Sequence, residues 1–240
     1  ARIHEYQGKE LLRDAGIRVP RGEAVASAED AARVALELGG RVILKVQAWT
    51  TSRKAQGGVV FADSPEEAAE AAERLLGMRF GNFPVEEILV EECLDIAREC
   101  FVSLSIDDAA QRPLLLFDAK GGSGIEDRAD EVSRVPVDLE HGVDRAALRL
   151  ACGDLPEAID EAIARIVDLA KTIEARSFEV NPLVVLRDGS VAAADCRITI
   201  DDYAVFRHPE LGIDIARELD HPATSLEKIA YDVEQSDHRG

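Results

Sequence analysis

The chain lacks the short motifs that usually give away a catalytic class. Its four cysteines, Cys93, Cys100, Cys152 and Cys196, form no C-x-x-C pair. That spacing excludes a zinc ribbon and a redox dithiol, and a reducing compartment is the simplest setting. The five histidines, His4, His141, His208, His221 and His238, show neither H-x-H nor H-E-x-x-H spacing. G-x-S-x-G, G-x-x-x-x-G-K-[ST] and G-x-G-x-x-G are missing as well, which disfavours zincins, serine hydrolases, P-loop NTPases and Rossmann dehydrogenases. No apolar run reaches the length that spans a bilayer, and no internal repeat or low-complexity tract occurs. The opening Ala1-Arg2-Ile3-His4-Glu5 has neither an initiating Met nor an apolar leader, so the expectation is a cytoplasmic chain that has lost its Met. Cations are the minority charge, 28 Lys and Arg against 47 Asp and Glu, for a net charge of −19. Such a surface repels nucleic-acid phosphates and anionic lipid. An anionic ligand such as a nucleotide then requires a locally basic pocket or a divalent cation.

What is present reads as a globular protein of alternating elements, with 46% apolar and 31% charged residues in 240. That length suits one large domain or two packed subdomains. His4 to Ala15 predicts a short helix stopped at Gly16, and Ser27 begins a helix through Leu38 with Gly39-Gly40 beyond its end. Ser64-Pro65-Glu66-Glu67 begins a third helix, with Gly77 marking its stop. Between these lie the strand-like Arg41 to Gln47, Val59 to Phe61 and Glu87 to Glu92. Strands alternating with helices argue mixed α/β layers. Phe101 to Asp118 reads as a hairpin followed by a glycine-rich turn at Lys120 to Asp127. A long amphipathic helix runs from Pro156-Glu157 to about Ala175 with Ile159, Ile163, Ile166, Ala170 and Ile173 on one face. Further helices are expected around Ile213 to Leu219 and Ser225 to Val233.

Two stretches carry chemistry by their residue types. Lys45 sits inside an apolar strand, where it either alternates outward or faces inward to meet an anion. The loop that follows, Thr50 to Gly58, is polar and small-residued with two cations, suited to phosphate or simply to a flexible hairpin. The second stretch is Ser177 to Asp195, two apolar strands joined at Asp188-Gly189. A tight two-residue turn there puts Pro182 opposite Asp195. A three-residue loop with Gly189 in a left-handed bulge pairs Leu186 with Ser190 and sets Asn181 across from Asp195. Only the second register makes a cation site; the alternative is a solvated surface hairpin.

Five stretches in order, His4-Glu5-Tyr6-Gln7-Gly8-Lys9-Glu10-Leu11-Leu12, Leu44-Lys45-Val46-Gln47, Ile88-Leu89-Val90-Glu91, Phe178-Glu179-Val180-Asn181-Pro182-Leu183 and Ala204-Val205-Phe206-Arg207-His208-Pro209-Glu210-Leu211, resemble the β subunits of succinate–CoA ligases and related nucleoside-diphosphate-forming carboxylate–CoA ligases. The resemblance implies an ATP-grasp fold of the α+β class, two subdomains enclosing a nucleotide cleft. It assigns residues 1–20 to an N-terminal helix and lead-in, 21–100 and 101–223 to the subdomains, and 224–240 to a helix leading toward a further C-terminal domain. It implies Lys45 on nucleotide phosphate, Ser52, Arg53 and Lys54 in the loop over the phosphates, and Glu91, Glu99 and the backbone at Leu94 on base and ribose. Asn181 and Asp195 are implied as Mg²⁺ ligands. The expected cofactors are Mg²⁺ and ATP or GTP. The expected partner is an α subunit carrying the CoA site and a phosphorylated histidine, in a hetero-oligomer acting on a small carboxylic acid.

Two departures from that family pattern stand out. Three glycines of the family's phosphate loop are replaced in Thr50 to Gly58, which limits close backbone approach. The family's Asp-Gly-Lys after the hairpin is Asp195-Cys196-Arg197. A catalytically weakened module used for docking or regulation is therefore the alternative reading, and a ligase acting through a free acyl phosphate with an amine acceptor is a third.

Overall fold

The computed structural model describes residues 1–48, 53–122, 125, 128, 130–213 and 221–236. Local signals decide the first helices. In α1 (Glu5–Asp14) the His4 amide donates to Gln7 Oε1 at 2.8 Å, and Gly16, at φ +75°, follows its end. In α2 (Ala28–Leu38) Ser27 Oγ accepts the Asp30 amide and Gly39 closes the helix in the left-handed region. In α3 (Pro65–Leu76) Ser64 Oγ accepts the Glu67 amide, with Pro65 opening the first turn where its missing N–H costs nothing. The strands between them are β1 (Gly22–Val25), β2 (Val42–Val46), β3 (Val59–Ala62), the short pair β4 (Arg79–Phe80) and β5 (Phe83–Pro84), and β6 (Ile88–Glu92). Among the described residues β1, β6, β2 and β3 form one antiparallel sheet in that order. α2 and α3 pack on it through Ala31, Val34, Ala35, Ala68, Ala72 and Leu75 against Leu44, Ile88 and Val90.

The second half is a larger antiparallel sheet. It contains β7 (Ile96–Asp107), β8 (Arg112–Asp118), β9 (Ser133–Asp138) and β10 (Gly142–Val143), then, after the helices α4 (Arg145–Cys152) and α5 (Glu157–Thr172), the long β11 (Ala175–Leu186) with β12 (Val191–Ala193) and β13 (Cys196–Ile200). The order is β10-β9-β8-β7-β11-β12, with β13 also paired to β11. α5 buries Ile159, Ile163, Ile166 and Ala170, the face its sequence predicts, beside Phe178 and Val180 of β11. β9, β10 and α4 are additions to the sequence expectation. β7 also begins earlier than Phe101, so Glu99 lies within a strand rather than before one. A last helix, α6, covers Ser225–Ser236; residues 214–220, which include most of the expected Ile213 to Leu219 helix, lie outside the described residues. No helix among the described residues is long and apolar enough to cross a membrane.

The N-terminal segment joins the second half although the first half follows it in sequence. Arg2 bridges Thr199, Ile200 donates its amide to Ala1 O at 2.7 Å, and Ala1, Ile3, Leu12, Ile17 and Val19 belong to the second core. α1 therefore stands at the seam, one side on β13 and the other reaching β2 and β6. Phe178 is fully buried at the centre of the larger core. Phe178→Ala is expected to cost about 3–5 kcal/mol, and Ser27→Ala, which removes one cap, about 1 kcal/mol; urea titration followed by circular dichroism measures both.

Candidate functional site

The hairpin adopts the bulged register. Leu186 donates its amide to Ser190 O at 2.8 Å, Gly189 donates to Leu186 O at 2.9 Å, and Gly189 has φ +85°. A side chain at that position would be strained, which is why the loop needs glycine. From there one register runs through both short strands: Val185 opposite Val191, Leu183 opposite Ala193, Val180 opposite Cys196 and Glu179 opposite Arg197. The same count sets Asn181 opposite Asp195, flanked by the bond from the Ala194 amide to Pro182 O at 3.0 Å. Directly opposed residues of an antiparallel pair share a face.

Lys45 faces inward. Its residue exposure is 7%, and its ammonium lies 2.7 Å from Glu5 Oε1, 2.8 Å from Ala194 O and 3.0 Å from Glu91 Oε2. Lys9, one turn beyond Glu5 on α1, reaches both oxygens of Glu91 at 2.6 and 2.7 Å and Glu5 at 2.8 Å. Arg53 completes the set. Its Nη1 lies 2.8 Å from Glu5 Oε2 and donates to Val46 O at 3.1 Å, while Nη2 donates to both oxygens of Asp195 at 2.8 and 3.0 Å. Three carboxylates and three cations thus meet where α1, β2, β6 and the start of β13 converge. Glu5, Lys9, Lys45 and Glu91 form the closed interior, and Arg53 and Asp195, with side chains 14% and 31% exposed, form the mouth.

The electrostatics divide the acids. Burial opposes ionisation of Glu5, but Lys45, Lys9 and Arg53 together hold its carboxyl well below the usual range. For Asp195, burial and the negative charge of Glu5 outweigh the attraction of Arg53, and its carboxyl is pushed up. Burial opposes the charge on Lys45 too, yet Glu5, Glu91 and Asp195 raise it well above a free lysine. Burial pushes up the thiol of Cys196, whose Sγ lies against Glu5 O, so it is a packing group and not a nucleophile.

The remaining residues expected from the sequence fall around this mouth. Asn181 Oδ1 accepts the Gly122 amide at 2.9 Å. Glu99 is exposed on β7 with its carboxylate over Gly122, where a Cβ would lie 2.7 Å from Oε2. A Cβ on Gly121 would lie 2.5 Å from the backbone of Cys100, so this loop lies on β7 only because both residues are glycine. Leu94 packs half-buried on a small apolar patch of Val184, Leu186 and Ala192 with Ile96 and Ala194. Lys54 is exposed, and Ser52 lies outside the described residues. Glu91 is 1% exposed and directed at Lys9 and Lys45, so here it braces the lysine and does not face the cleft. Glu5 and Lys9 had no place in the sequence reading. Their signal is positional: with Gly8 and Leu12 they occupy the buried face of α1, where the period of the helix calls for apolar residues.

Asn181 and Asp195 supply an amide oxygen and a carboxylate in opposed positions, a hard-oxygen pair suited to Mg²⁺, which takes one or two protein ligands and completes its shell with phosphate and water. No group of three or more His, Cys, Asp or Glu able to hold a metal occurs among the described residues. Lys45 and Arg53 lie beside Asn181 and Asp195, each paired with carboxylates of the cluster.

Two α+β halves meeting at a seam of lysine, arginine, carboxylate and a glycine turn define the ATP-grasp architecture. The chain belongs to the ATP-grasp domain family, whose sequence model matches residues 2–185. It is 36% identical over 233 residues to the β subunit of GDP-forming succinate–CoA ligase from Thermus thermophilus, a match covering 92% of this chain and 61% of that protein. The chain thus spans less than two thirds of that relative. Its fold is similar to that of the dinucleotide-forming acetyl-coenzyme A synthetase 1 of Ca. Korarchaeum cryptofilum, solved with coenzyme A and Ca-AMPCP (TM-score 0.66, 24% identity, 82% of this chain and 92% of that one). It is also similar to ATP citrate lyase of Methanothrix soehngenii, solved with citrate and coenzyme A (TM-score 0.76, 17% identity, 99% of this chain and 60% of that one).

The opposite shifts of the two carboxyls give opposite mutational outcomes. A carboxyl held below its unfolded value of 4.5 adds stability above that pH and loses it as pH falls through the folded value; one raised above its unfolded value of 3.8 lowers stability once ionised. Glu5→Gln is expected to cost about 3–5 kcal/mol at pH 7, because it leaves a buried cation short of a partner, and the gap to wild type should narrow below pH 4.5. Asp195→Asn should leave the ligand-free protein as stable as wild type or more so. Urea midpoints at pH 7 and below pH 4.5 check both signs.

Proposed function

We propose that the chain is the nucleotide-binding part of a carboxylate–CoA ligase, using ATP or GTP with Mg²⁺. The observation that carries this reading is the placing of Arg53 on Asp195, and of Lys45 on the neighbouring Ala194 carbonyl, at the hairpin end where the register sets Asn181 opposite Asp195. On this reading Lys45 and Arg53 bind phosphate oxygens, and Lys54 and Ser52 extend the loop over them. Asn181 and Asp195 hold Mg²⁺, which when bound offsets the charge of the phosphates. Glu99 accepts hydrogen bonds from the ribose, and the base lies on the apolar patch that includes Leu94. Glu91 acts through Lys45, whose ammonium it fixes. Phosphoryl transfer asks little more of a protein than such placement of charges.

The relatives' names support the reaction class. The phosphoryl group would pass to a histidine on an α subunit that also binds coenzyme A, and a small carboxylic acid would become its thioester. Residues 21–100 and 101–223 are then the two subdomains, 1–20 their brace, and 224–240 a link toward a further domain, with the assembly acting in the cytoplasm.

Calorimetry with ATP and GTP, each with and without Mg²⁺, tests the site. Binding should require Mg²⁺, and Asp195→Ala should weaken it by about ten- to a hundredfold while the ligand-free protein stays folded. Binding indifferent to both would remove Asn181 and Asp195 from the site. Mixing the chain with a candidate α subunit, coenzyme A, ATP and succinate and looking for the acyl thioester tests the ligase reading; its absence alongside intact nucleotide binding would favour a docking or regulatory module.

A further inference from the structure

The cations proposed to meet phosphate do not stand on their own elements' support. Arg53 leaves the turn after β2 with one backbone anchor, the bond to Val46 O, and otherwise rests on two carboxylates, Glu5 and Asp195. Lys45 rests on Glu5, Glu91 and Ala194 O. Glu5 is the member common to both, 2.7 Å from Lys45 and 2.8 Å from Arg53, with its side chain 2% exposed. It comes from α1, outside both the strand and the turn that carry the cations. If Asp195 is taken by Mg²⁺, the carboxylate left to Arg53 is Glu5.

We infer that Glu5 is a positioning residue: its buried carboxylate fixes the Lys45 ammonium and the Arg53 guanidinium as a pair, so that α1 is part of the nucleotide site without touching nucleotide. This rests on the function proposed above. The sign of the effect separates positioning from simple charge. Removing an acid beside a phosphate site strengthens attraction for an anion by Coulomb's law; removing the brace weakens binding because both cations then lose their fixed places.

The test is the affinity of Mg-ATP, by calorimetry at low temperature, for wild type, Glu5→Gln, Glu5→Asp and the core variant Phe178→Ala. Glu5→Gln is expected to weaken binding by about ten- to a hundredfold and Glu5→Asp by less, whereas folded Phe178→Ala keeps wild-type affinity. Where Glu5→Gln does not fold, Glu5→Gln with Lys9→Met restores the balance of buried charge and still removes the brace; it should bind as weakly. Wild-type or tighter binding by these Glu5 variants, or equal weakening in Phe178→Ala, overturns the inference and leaves the nucleotide site standing. A wild-type chain that binds no nucleotide overturns both.

Discussion

Burying the Glu5 carboxylate is the constraint on which the seam between the two halves depends. An ion taken out of water costs several kcal/mol unless partners replace its hydration. Glu5 has three, Lys9 on its own helix, Lys45 on β2 and Arg53 just beyond, all within 2.8 Å. Each of these is itself charged and needs an anion, and Glu91 from β6 and Asp195 before β13 supply it. The charges therefore close only if α1, the small sheet and the hairpin stand in one arrangement. An apolar plug of similar volume would hold the seam at least as firmly, since buried ion pairs commonly break even or worse against hydrophobic packing. What an apolar plug would not do is hold a buried ammonium and, at the mouth, a guanidinium in fixed places.

That arrangement also answers the difficulty posed by the net charge. A chain at −19 repels a polyphosphate at long range, and attraction has to be local. At the mouth, Arg53 is already neutralised by Asp195, so binding an anion there is an exchange of partners. On the proposed function, phosphate would take the guanidinium, and the carboxylate it released is the one proposed to take the cation. This one ion pair would then couple nucleotide and cation, in addition to their attraction for each other.

Much of the fold was legible because its signals are local. Ser27, Ser64, Gly16 and Gly39 mark helix ends by backbone chemistry that needs no distant partner. The turn at Asp188-Gly189 left two hairpin registers open, and the three loop residues Arg187, Asp188 and Gly189, in the bulged form, fix everything out to Asn181 and Asp195. β9 was missed although Val135 and Val137 alternate inward, because Pro136 between them reads as a break. The site was half legible for a related reason. Lys45 in an apolar strand announces a buried cation, but its partners lie 40, 46 and 149 residues away. The same distance hid the role of Glu91, which turns to Lys9 across 82 residues of chain.

Backbone conformation and packing account for two of the glycines in the loop after β2. Gly57 and Gly58 are retained, and the structure requires them: Gly57 has φ +78°, and a Cβ on Gly58 would lie 2.7 Å from Val46 Cγ2 and 3.0 Å from Phe80 Cζ. Gly58 closes the turn by donating to Arg53 O at 2.8 Å, and its own carbonyl accepts the Val46 amide at 2.9 Å. The retained pair is thus the hinge that sends Arg53 back over β2 toward Glu5 and Asp195. At the three positions where the resembled family pattern has glycine, side chains obstruct close backbone approach. What the loop keeps is that hinge and a guanidinium whose place is fixed by Val46 O, Glu5 and Asp195, so the groups that position Arg53 lie outside the loop itself.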